Sequence, residues 1–190
     1  MIHLLAAFGL SAATGLNAYL PLLIVGLLAR YTDLIVLRSP WDALANAWVL
    51  GVLAVLLVIE MTADKIPAVD SLNDVIQTVI RPTAGAILFA ASSNVISEMS
   101  PVLAMICGVL VAGGVHAVKA TVRPAITATT AGIGNPIIST AEDVVSGATT
   151  LIAVLLPGLA AILVVLVAVA LVWWVVRRRR GRAGRLSGSP

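Results

Sequence analysis

Long apolar segments alternate with short polar stretches along this chain, and most of these segments are long enough to cross a lipid bilayer as a helix. The first runs from Leu4 to Ala29 without a charged residue. Because Pro21 lacks a backbone N–H, we predict a kink or a broken turn near Asn17–Pro21. A second span is predicted over residues 40–63, with Ser39 as its N-cap.

Residues 65–81 are too polar to span a membrane, yet their apolar positions recur at spacings of three and four. That period is typical of an amphipathic helix, which either lies at the membrane interface or folds back into the protein as a re-entrant segment. Pro82 is expected to open a third span that ends near Ser97.

A fourth span begins after Ser100, which is a suitable N-cap, and is expected to end near Val122. Small residues and one histidine recur every four positions along it, so they share one helical face. Small residues at this spacing allow helices to approach closely in lipid. The face consists of Ala104, Gly108, Ala112, His116 and Ala120.

The last third of the chain predicts a turn-rich connection over residues 125–138, followed by two more spans. Ser139 and Glu142 form a capping box that opens a fifth segment ending near Leu156. The sixth span, Leu159–Val176, contains 18 consecutive apolar residues.

Composition agrees with an all-α transmembrane bundle of about six helices over residues 1–176. Hydrophobic residues make up 60% of the 190 residues and charged residues only 11%, whereas soluble domains carry roughly 25% charged residues. These values exclude a water-soluble globular protein and leave no room for a separate soluble domain.

The net charge of +3 arises at one end of the chain. Residues 177–190 hold six arginines, whereas residues 1–176 hold six lysines and arginines and nine aspartates and glutamates. We interpret 177–190 as a disordered cytoplasmic tail that contacts anionic lipid headgroups. Nucleic acid is not a predicted partner, because no aromatic or folded reader accompanies the arginines.

Six spans and a cytoplasmic tail place both termini in the cytoplasm, with the protein in a bacterial inner membrane. A weak internal similarity leaves open a 3+3 inverted repeat of the kind found in many secondary transporters. It matches Thr62–Lys65 with Thr140–Asp143, and the residues after Pro82 with those after Pro157.

An acidic stretch follows the second span and forms the first candidate site. Glu60 and Asp64 lie one helical turn apart, so the two carboxylates can share a cation or a proton. Ionisable residues near a span are candidates for function, and Lys65, Asp70 and Asp74 belong to the same stretch. Alternatively, only Glu60 lies deep in the membrane and the others form a solvated interfacial loop or helix caps.

A basic stripe forms the second part of this candidate site. His116, Lys119 and Arg123 lie on one helical face, where they either anchor the cytoplasmic end of the helix or pair with the acidic stretch. We predict that both groups lie in the cytoplasmic half of the membrane. Asn17 is predicted either to bond two helices together or to line the same polar site.

Residues 132–143 contain a further polar cluster made up of Asn135, Ser139, Glu142 and Asp143. A helix N-terminus that faces a polar cavity can bind an anion. However, Glu142 and Asp143 would repel an anion there, so a loop followed by a helix cap is the favoured interpretation.

Enzymatic activity is not predicted, and no cofactor is expected. The sequence has two histidines, one cysteine, and none of the common nucleophile, zinc-protease or phosphate-loop motifs. The single Cys107 cannot form an intramolecular disulfide.

The stretches that contain these polar residues resemble a family of small bacterial integral membrane proteins known as domain of unknown function 4126. The resemblance rests on G-L-N-A-Y-L-P (15–21), E-M-T-A-D-K-I-P-A-V-D (60–70) with I-R-P-T-A-G-A (80–86), and H-A-V-K-A-T-V-R (116–123) with N-P-I-I-S-T-A-E-D (135–143). It implies a polytopic membrane fold and no known activity. A second, weaker resemblance is to small cation/proton antiporters, which have E-x-G-D-K where this chain has E-x-x-x-D-K.

Two functions fit these observations. A small permease or ion-coupled secondary transporter would enclose a polar site between its helices for an ion or solute. A non-transporting protein with a structural, lipid-organising or partner-docking role would use the same charges to fix helix register. A water-accessible cavity reaching Glu60 would favour transport, and a dry, fully paired cluster would favour the second function.

Overall fold

The computed structural model describes residues 2–92 and 99–157, together with residues 159, 162 and 166. Within these ranges the chain forms six α-helices, one short 3-10 helix and no strand, so the all-helical fold class is confirmed. The helices are α1 (Ile2–Leu16), α2 (Tyr19–Tyr31), α3 (Ala47–Ala63), α4 (Pro67–Ala91), α5 (Pro101–Thr130) and α6 (Asn135–Leu155), and the 3-10 helix is Trp41–Ala45. Apart from three positions, the predicted sixth span and the arginine tail lie outside the described residues.

The first apolar segment is divided into two helices, as the position of Pro21 predicted. Helix α1 ends at Leu16 and α2 begins at Tyr19. The side chain of Asn17 caps α2, because its Oδ1 accepts hydrogen bonds from the backbone N–H groups of Tyr19 (3.1 Å) and Leu20 (2.9 Å). The break therefore lies in the middle of a charge-free run.

The predicted start of the second span at Ser39–Pro40 was wrong. Helix α3 begins at Ala47, and its N-cap is Asn46, whose Oδ1 accepts a 2.9 Å hydrogen bond from the Trp48 N–H. Asn46 has extended backbone angles, which end the preceding 3-10 helix and open α3. The helix has 17 residues, or about 26 Å of length at 1.5 Å per residue.

The prediction that Pro82 begins a new helix was also wrong. Helix α4 runs without interruption from Pro67 to Ala91, so it contains Pro82 and most of the predicted amphipathic segment. The proline ring faces Gly113 of α5, where even an added Cβ would lie 3.6 Å from it. Since α4 continues through Pro82, Arg81 lies in the interior of a long helix.

The N-cap predicted at Ser100 is confirmed, because its side chain accepts a hydrogen bond from the Leu103 N–H at 3.2 Å. Helix α5 continues past the predicted end at Val122 to Thr130. Its last turns are rich in threonines whose hydroxyls donate back to carbonyls of the preceding turn. The predicted connection over 125–138 shrinks to a four-residue turn, in which Ala131 and Gly132 adopt positive φ.

The capping box predicted at Ser139 and Glu142 was wrong. Helix α6 begins at Asn135, followed by Pro136 in the first turn, where a missing N–H is tolerated. Ser139 and Glu142 therefore lie inside the helix, and their side chains face other helices.

Helices α4, α5 and α6 bury their polar side chains and expose apolar ones. In α6 the buried positions include Ser139, Asp143 and Thr150, whereas Ile137 and Val144 are 70% and 65% exposed. Helix α4 follows the same pattern, with Arg81 and Gln77 buried. This arrangement is the reverse of that in a soluble protein.

Two of the described helices, α5 and α6, are long and apolar enough to cross a membrane. Helices α1, α2 and α3 are apolar but shorter. The predicted bundle of six spans is therefore not confirmed.

Helices α1, α4 and α5 approach one another closely through small residues. A Cβ added to Gly85 would lie 2.8 Å from the Gly108 carbonyl oxygen, and one added to Gly15 would lie 2.6 Å from the Ala112 carbonyl oxygen. A Cβ at Gly108 would overlap the backbone at Gly85. The small-residue face predicted on the fourth span thus forms this contact.

Replacement of Gly108 by alanine is expected to lower the free energy of unfolding by about 1–3 kcal/mol, because α4 and α5 must move apart. Thermal unfolding of the purified protein in detergent measures the change. The matched control is Gly114→Ala on the same helix, where an added Cβ meets no atom within 4 Å. Equal unfolding temperatures for the two variants would contradict the close contact.

Candidate functional site

The break between α1 and α2 exposes backbone groups inside the bundle, and charged side chains satisfy them. The Ala18 N–H donates to both carboxylate oxygens of Glu60, at 3.3 and 3.2 Å. On the other side of the break, Lys119 Nζ donates to the Leu16 carbonyl at 3.1 Å. An anion thus meets the N-terminus of α2 and a cation meets the C-terminus of α1, as the two helix dipoles favour.

Glu60 pairs with a buried arginine that the sequence interpretation left out of the site. Arg81 Nη2 donates to Glu60 Oε1 at 3.0 Å, and both side chains are fully enclosed. The second terminal nitrogen of Arg81 lies 3.0 Å from Nδ1 of His116.

The tautomer of His116 follows from these partners. Arginine can only donate, so His116 Nδ1 is the acceptor and Nε2 carries the hydrogen. Nε2 lies 3.1 Å from Thr78 Oγ1, whose own hydrogen goes to the Asp74 carbonyl at 2.8 Å. His116 is therefore neutral and relays a hydrogen bond from Arg81 to Thr78.

Asp64 lies among three cations. Its Oδ2 lies 3.2 Å from Lys119 Nζ, 3.1 Å from Arg123 Nη2 and 3.6 Å from Arg81 Nη2. Its other oxygen accepts a 2.7 Å hydrogen bond from Asn73 Nδ2. Both oxygens of this buried carboxylate are thus satisfied.

Glu142 completes the cluster from α6. Its Oε2 lies 2.9 Å from Lys119 Nζ and 2.7 Å from Arg123 Nη2. Asp64 and Glu142 therefore hold the same two cations from opposite helices. We call the following six side chains the charge cluster: Glu60, Asp64, Arg81, Lys119, Arg123 and Glu142.

The charge cluster contains three acids and three bases. Its side chains are nearly inaccessible, with exposed fractions from 0% for Glu60 and Arg81 to 14% for Glu142. Exposure thus increases toward the start of α6. Within the described residues, no group of three or more His, Cys, Asp or Glu side chains is arranged to hold a metal ion.

Asn17 links the break to α6. Its Nδ2 donates to Asp143 Oδ1 at 2.9 Å, while its Oδ1 caps α2. Ser146, one turn further along α6, donates to the Ala13 carbonyl at 2.9 Å. Asn17 and Asp143, which were predicted as members of two separate polar clusters, are therefore joined by one hydrogen bond.

The structure brings together most of the residues that the sequence singled out, but not all. Lys65 is exposed, Asp74 is half-buried and makes no ion pair with a described side chain, and the side chain of Asp70 lies outside what the structure describes. Asn135 accepts a 3.0 Å hydrogen bond from Thr127 Oγ1, which joins the two ends of the turn.

The sequence interpretation missed Arg81 and Asn73. Asn73, Gln77 and Arg81 recur every four residues along α4, opposite its apolar face. This polar period was the available signal, and the assignment of a helix start to Pro82 hid it.

A family model described as domain of unknown function (DUF4126) matches residues 4–178. The chain belongs to this family. The match includes the whole charge cluster and the break between α1 and α2. No curated protein and no solved structure matches the chain.

Replacement of Arg81 by methionine is expected to lower the free energy of unfolding by about 3–5 kcal/mol, because Glu60 keeps its charge and loses its closest cation. The double variant Glu60→Gln with Arg81→Met is expected to be more stable than Arg81→Met alone. Thermal unfolding in detergent measures both. Arg38→Met, which removes an exposed arginine, is the control, and additive effects of the two substitutions would contradict the pairing.

Proposed function

We propose that this protein is a multi-pass membrane protein that carries a small ion or solute, as a permease or ion-coupled secondary transporter. We expect lipid to surround the protein, because the outward faces of α4, α5 and α6 are apolar while their polar residues are buried. A soluble protein would not expose apolar surface of this extent. We further propose that it lies in the inner membrane of a bacterium with both termini in the cytoplasm, because the six arginines of residues 177–190 favour the cytoplasmic side.

The observation that supports transport best is the charge cluster around the break between α1 and α2. In secondary transporters, discontinuous helices near the middle of the membrane present helix ends and unwound backbone to substrates and coupling ions. Here Glu60 and Lys119 bind the two ends of such a break. Buried ionisable side chains in a membrane bundle are candidates for function by default.

The charge cluster and the cavity of the bundle lie in different places. Glu142 is the most exposed member of the charge cluster. A cavity of about 180 Å³ lies nearer the start of α1 and the end of α6, lined in part by Leu10, Val25 and Ala153. Ala153 lies ten residues beyond Asp143, or about 15 Å along α6.

The alternative function, a non-transporting structural or partner-docking membrane protein, has its own supporting observation. Glu60 is enclosed, it is paired with Arg81, and it is not among the residues that line this cavity. This paired, enclosed network is the arrangement named under Sequence analysis as favouring a role in fixing helix register. It does not account for Asp143, a buried acid that belongs to no ion pair with a described side chain. Transport is therefore supported by the break between α1 and α2 and by Asp143, not by access to Glu60.

A 3+3 inverted repeat remains a prediction. The matched residues Asp64 and Glu142 hold the same cations, but Asp64 follows the last residue of α3 whereas Glu142 lies within α6. Equivalent residues of an inverted repeat should occupy equivalent positions along their helices. Their shared partners therefore give the repeat little support.

Membrane integration predicts that the protein stays with the membrane pellet after alkaline carbonate extraction and leaves it only in detergent. Immunoblotting of the pellet and supernatant measures this, with a peripheral membrane protein as control. Release by carbonate alone would contradict integration.

Transport predicts that purified protein in liposomes moves protons or small cations across the bilayer, as reported by a trapped pH-sensitive dye and by radioactive cation uptake. Glu60→Gln with Asp64→Asn is expected to abolish most of this flux. The matched control is Asp33→Asn with Asp42→Asn, which neutralises two exposed carboxylates. Flux no greater than in protein-free liposomes would argue for the non-transporting alternative, whereas equal flux in both double variants would show that transport does not depend on Glu60 and Asp64.

A further inference from the structure

Asp143 differs from the acids of the charge cluster because no described cation neutralises it. The residue is 6% exposed, and its Oδ1 accepts a hydrogen bond from the neutral amide of Asn17 at 2.9 Å. Its Oδ2 is buried and has no hydrogen-bond partner within the described ranges. A buried carboxylate of this kind is unfavourable unless something neutralises its charge.

A second buried oxygen on the same helical face also lacks a partner. Ser139 precedes Asp143 by one turn of α6, is fully buried, and its Oγ forms no hydrogen bond with any described group. Buried hydroxyls in native proteins are nearly always bonded. One turn after Asp143, Ser146 bonds to the Ala13 carbonyl, so this face of α6 packs against α1 next to the break.

The break itself leaves backbone carbonyls without their helical donors. In a continuous helix, the N–H groups of Ala18 and Tyr19 would donate to the carbonyls of Thr14 and Gly15. Here those N–H groups bond to Glu60 and Asn17 instead. Carboxylate, hydroxyl and carbonyl oxygens are the ligands that hard cations prefer.

The charged groups around Asp143 do not replace a bound cation. On other elements, Asp64, Lys119 and Lys65 are close enough to act electrostatically on Asp143. Asp64 and Lys119 pair with each other at 3.2 Å, and Lys65 is exposed. On α6 itself, the neighbouring Glu142 is already bound to Lys119. The negative charge of Asp143 is therefore left over after all of these pairs are made.

We propose that Asp143 is the site at which this protein takes up and releases a monovalent cation, either H⁺ or Na⁺. A proton would neutralise the free Oδ2, whereas Na⁺ would be coordinated by this oxygen together with Ser139 Oγ. The proposal deepens the proposed function and rests on it for its role in transport, because it assigns the coupling ion to Asp143. The charge cluster then serves as the scaffold around the break.

The test measures cation binding at equilibrium, with no requirement for transport. A ligand that binds only the folded state raises the unfolding temperature with its concentration. Purified full-length protein in detergent is unfolded in NaCl and in choline chloride of equal ionic strength, at acidic and alkaline pH. For a Na⁺ site, NaCl raises the unfolding temperature at alkaline pH relative to choline chloride. For a proton site, acidic pH raises it and Na⁺ has no effect.

In either case, the dependence of the unfolding temperature on the cation is expected to vanish in Asp143→Asn. It is expected to persist in Asp33→Asn, which changes an exposed carboxylate. Ser139→Ala removes no hydrogen bond to a described group, so we expect this second variant to fold normally. It is expected to weaken Na⁺ affinity about tenfold, as for the loss of one bond to a charged group, and to leave the effect of acidic pH unchanged. Equal NaCl and pH dependence in the unaltered protein and Asp143→Asn would overturn the proposal.

The liposome and unfolding measurements can fail independently. Stabilisation that depends on Asp143, without flux in liposomes, would support the cation site and refute the transport function. Flux that keeps the same ion dependence in Asp143→Asn would support transport and refute the site.

Discussion

The closure of the break between α1 and α2 determines the rest of the polar interior. A helix that stops inside a bundle leaves N–H and carbonyl groups that are unfavourable unless bonded. Glu60 satisfies the N–H of Ala18, and Lys119 satisfies the carbonyl of Leu16. Each of these charges then requires a partner of its own, which Arg81 provides for Glu60 and Asp64 for Lys119.

The enclosed charges impose a second constraint on packing. Charge pairs are stable in a dry interior only when the geometry is close and the remaining polar atoms are bonded. The helices that hold them meet through small residues, so that α4 and α5 contact each other at Gly85 and Gly108. With the polar groups turned inward, apolar side chains are left to form the outer surface. The break thus requires buried charges, the buried charges require close contacts between helices, and the inward-facing polar groups leave an apolar exterior.

Local signals in the sequence predicted the features that depend on nearby residues. Asn17 with Pro21 indicated the break, and Ser100 indicated the start of α5. The same kind of signal failed at two other positions. Pro82 resembles a helix start, but it lies within α4, where its ring is next to Gly113 of α5. Glu142 resembles a capping residue, but cations on α5 bind it. Four of the six members of the charge cluster could therefore be predicted as acidic and basic stripes, whereas the pairing depends on how the helices pack.

Paired and unpaired charges in this interior have different physical consequences. A member of the charge cluster cannot change its protonation without leaving a partner buried and unpaired, which strongly favours one fixed state. Asp143 has no such partner among the described side chains, so its charge can change at a smaller penalty. Within the described ranges it accepts one side-chain hydrogen bond, from Asn17, the same residue that caps α2. A charge-assisted hydrogen bond weakens when the carboxylate is neutralised. Any cation that binds to Asp143 therefore acts directly on the residue that holds the start of α2, which is the structural link a coupling ion needs.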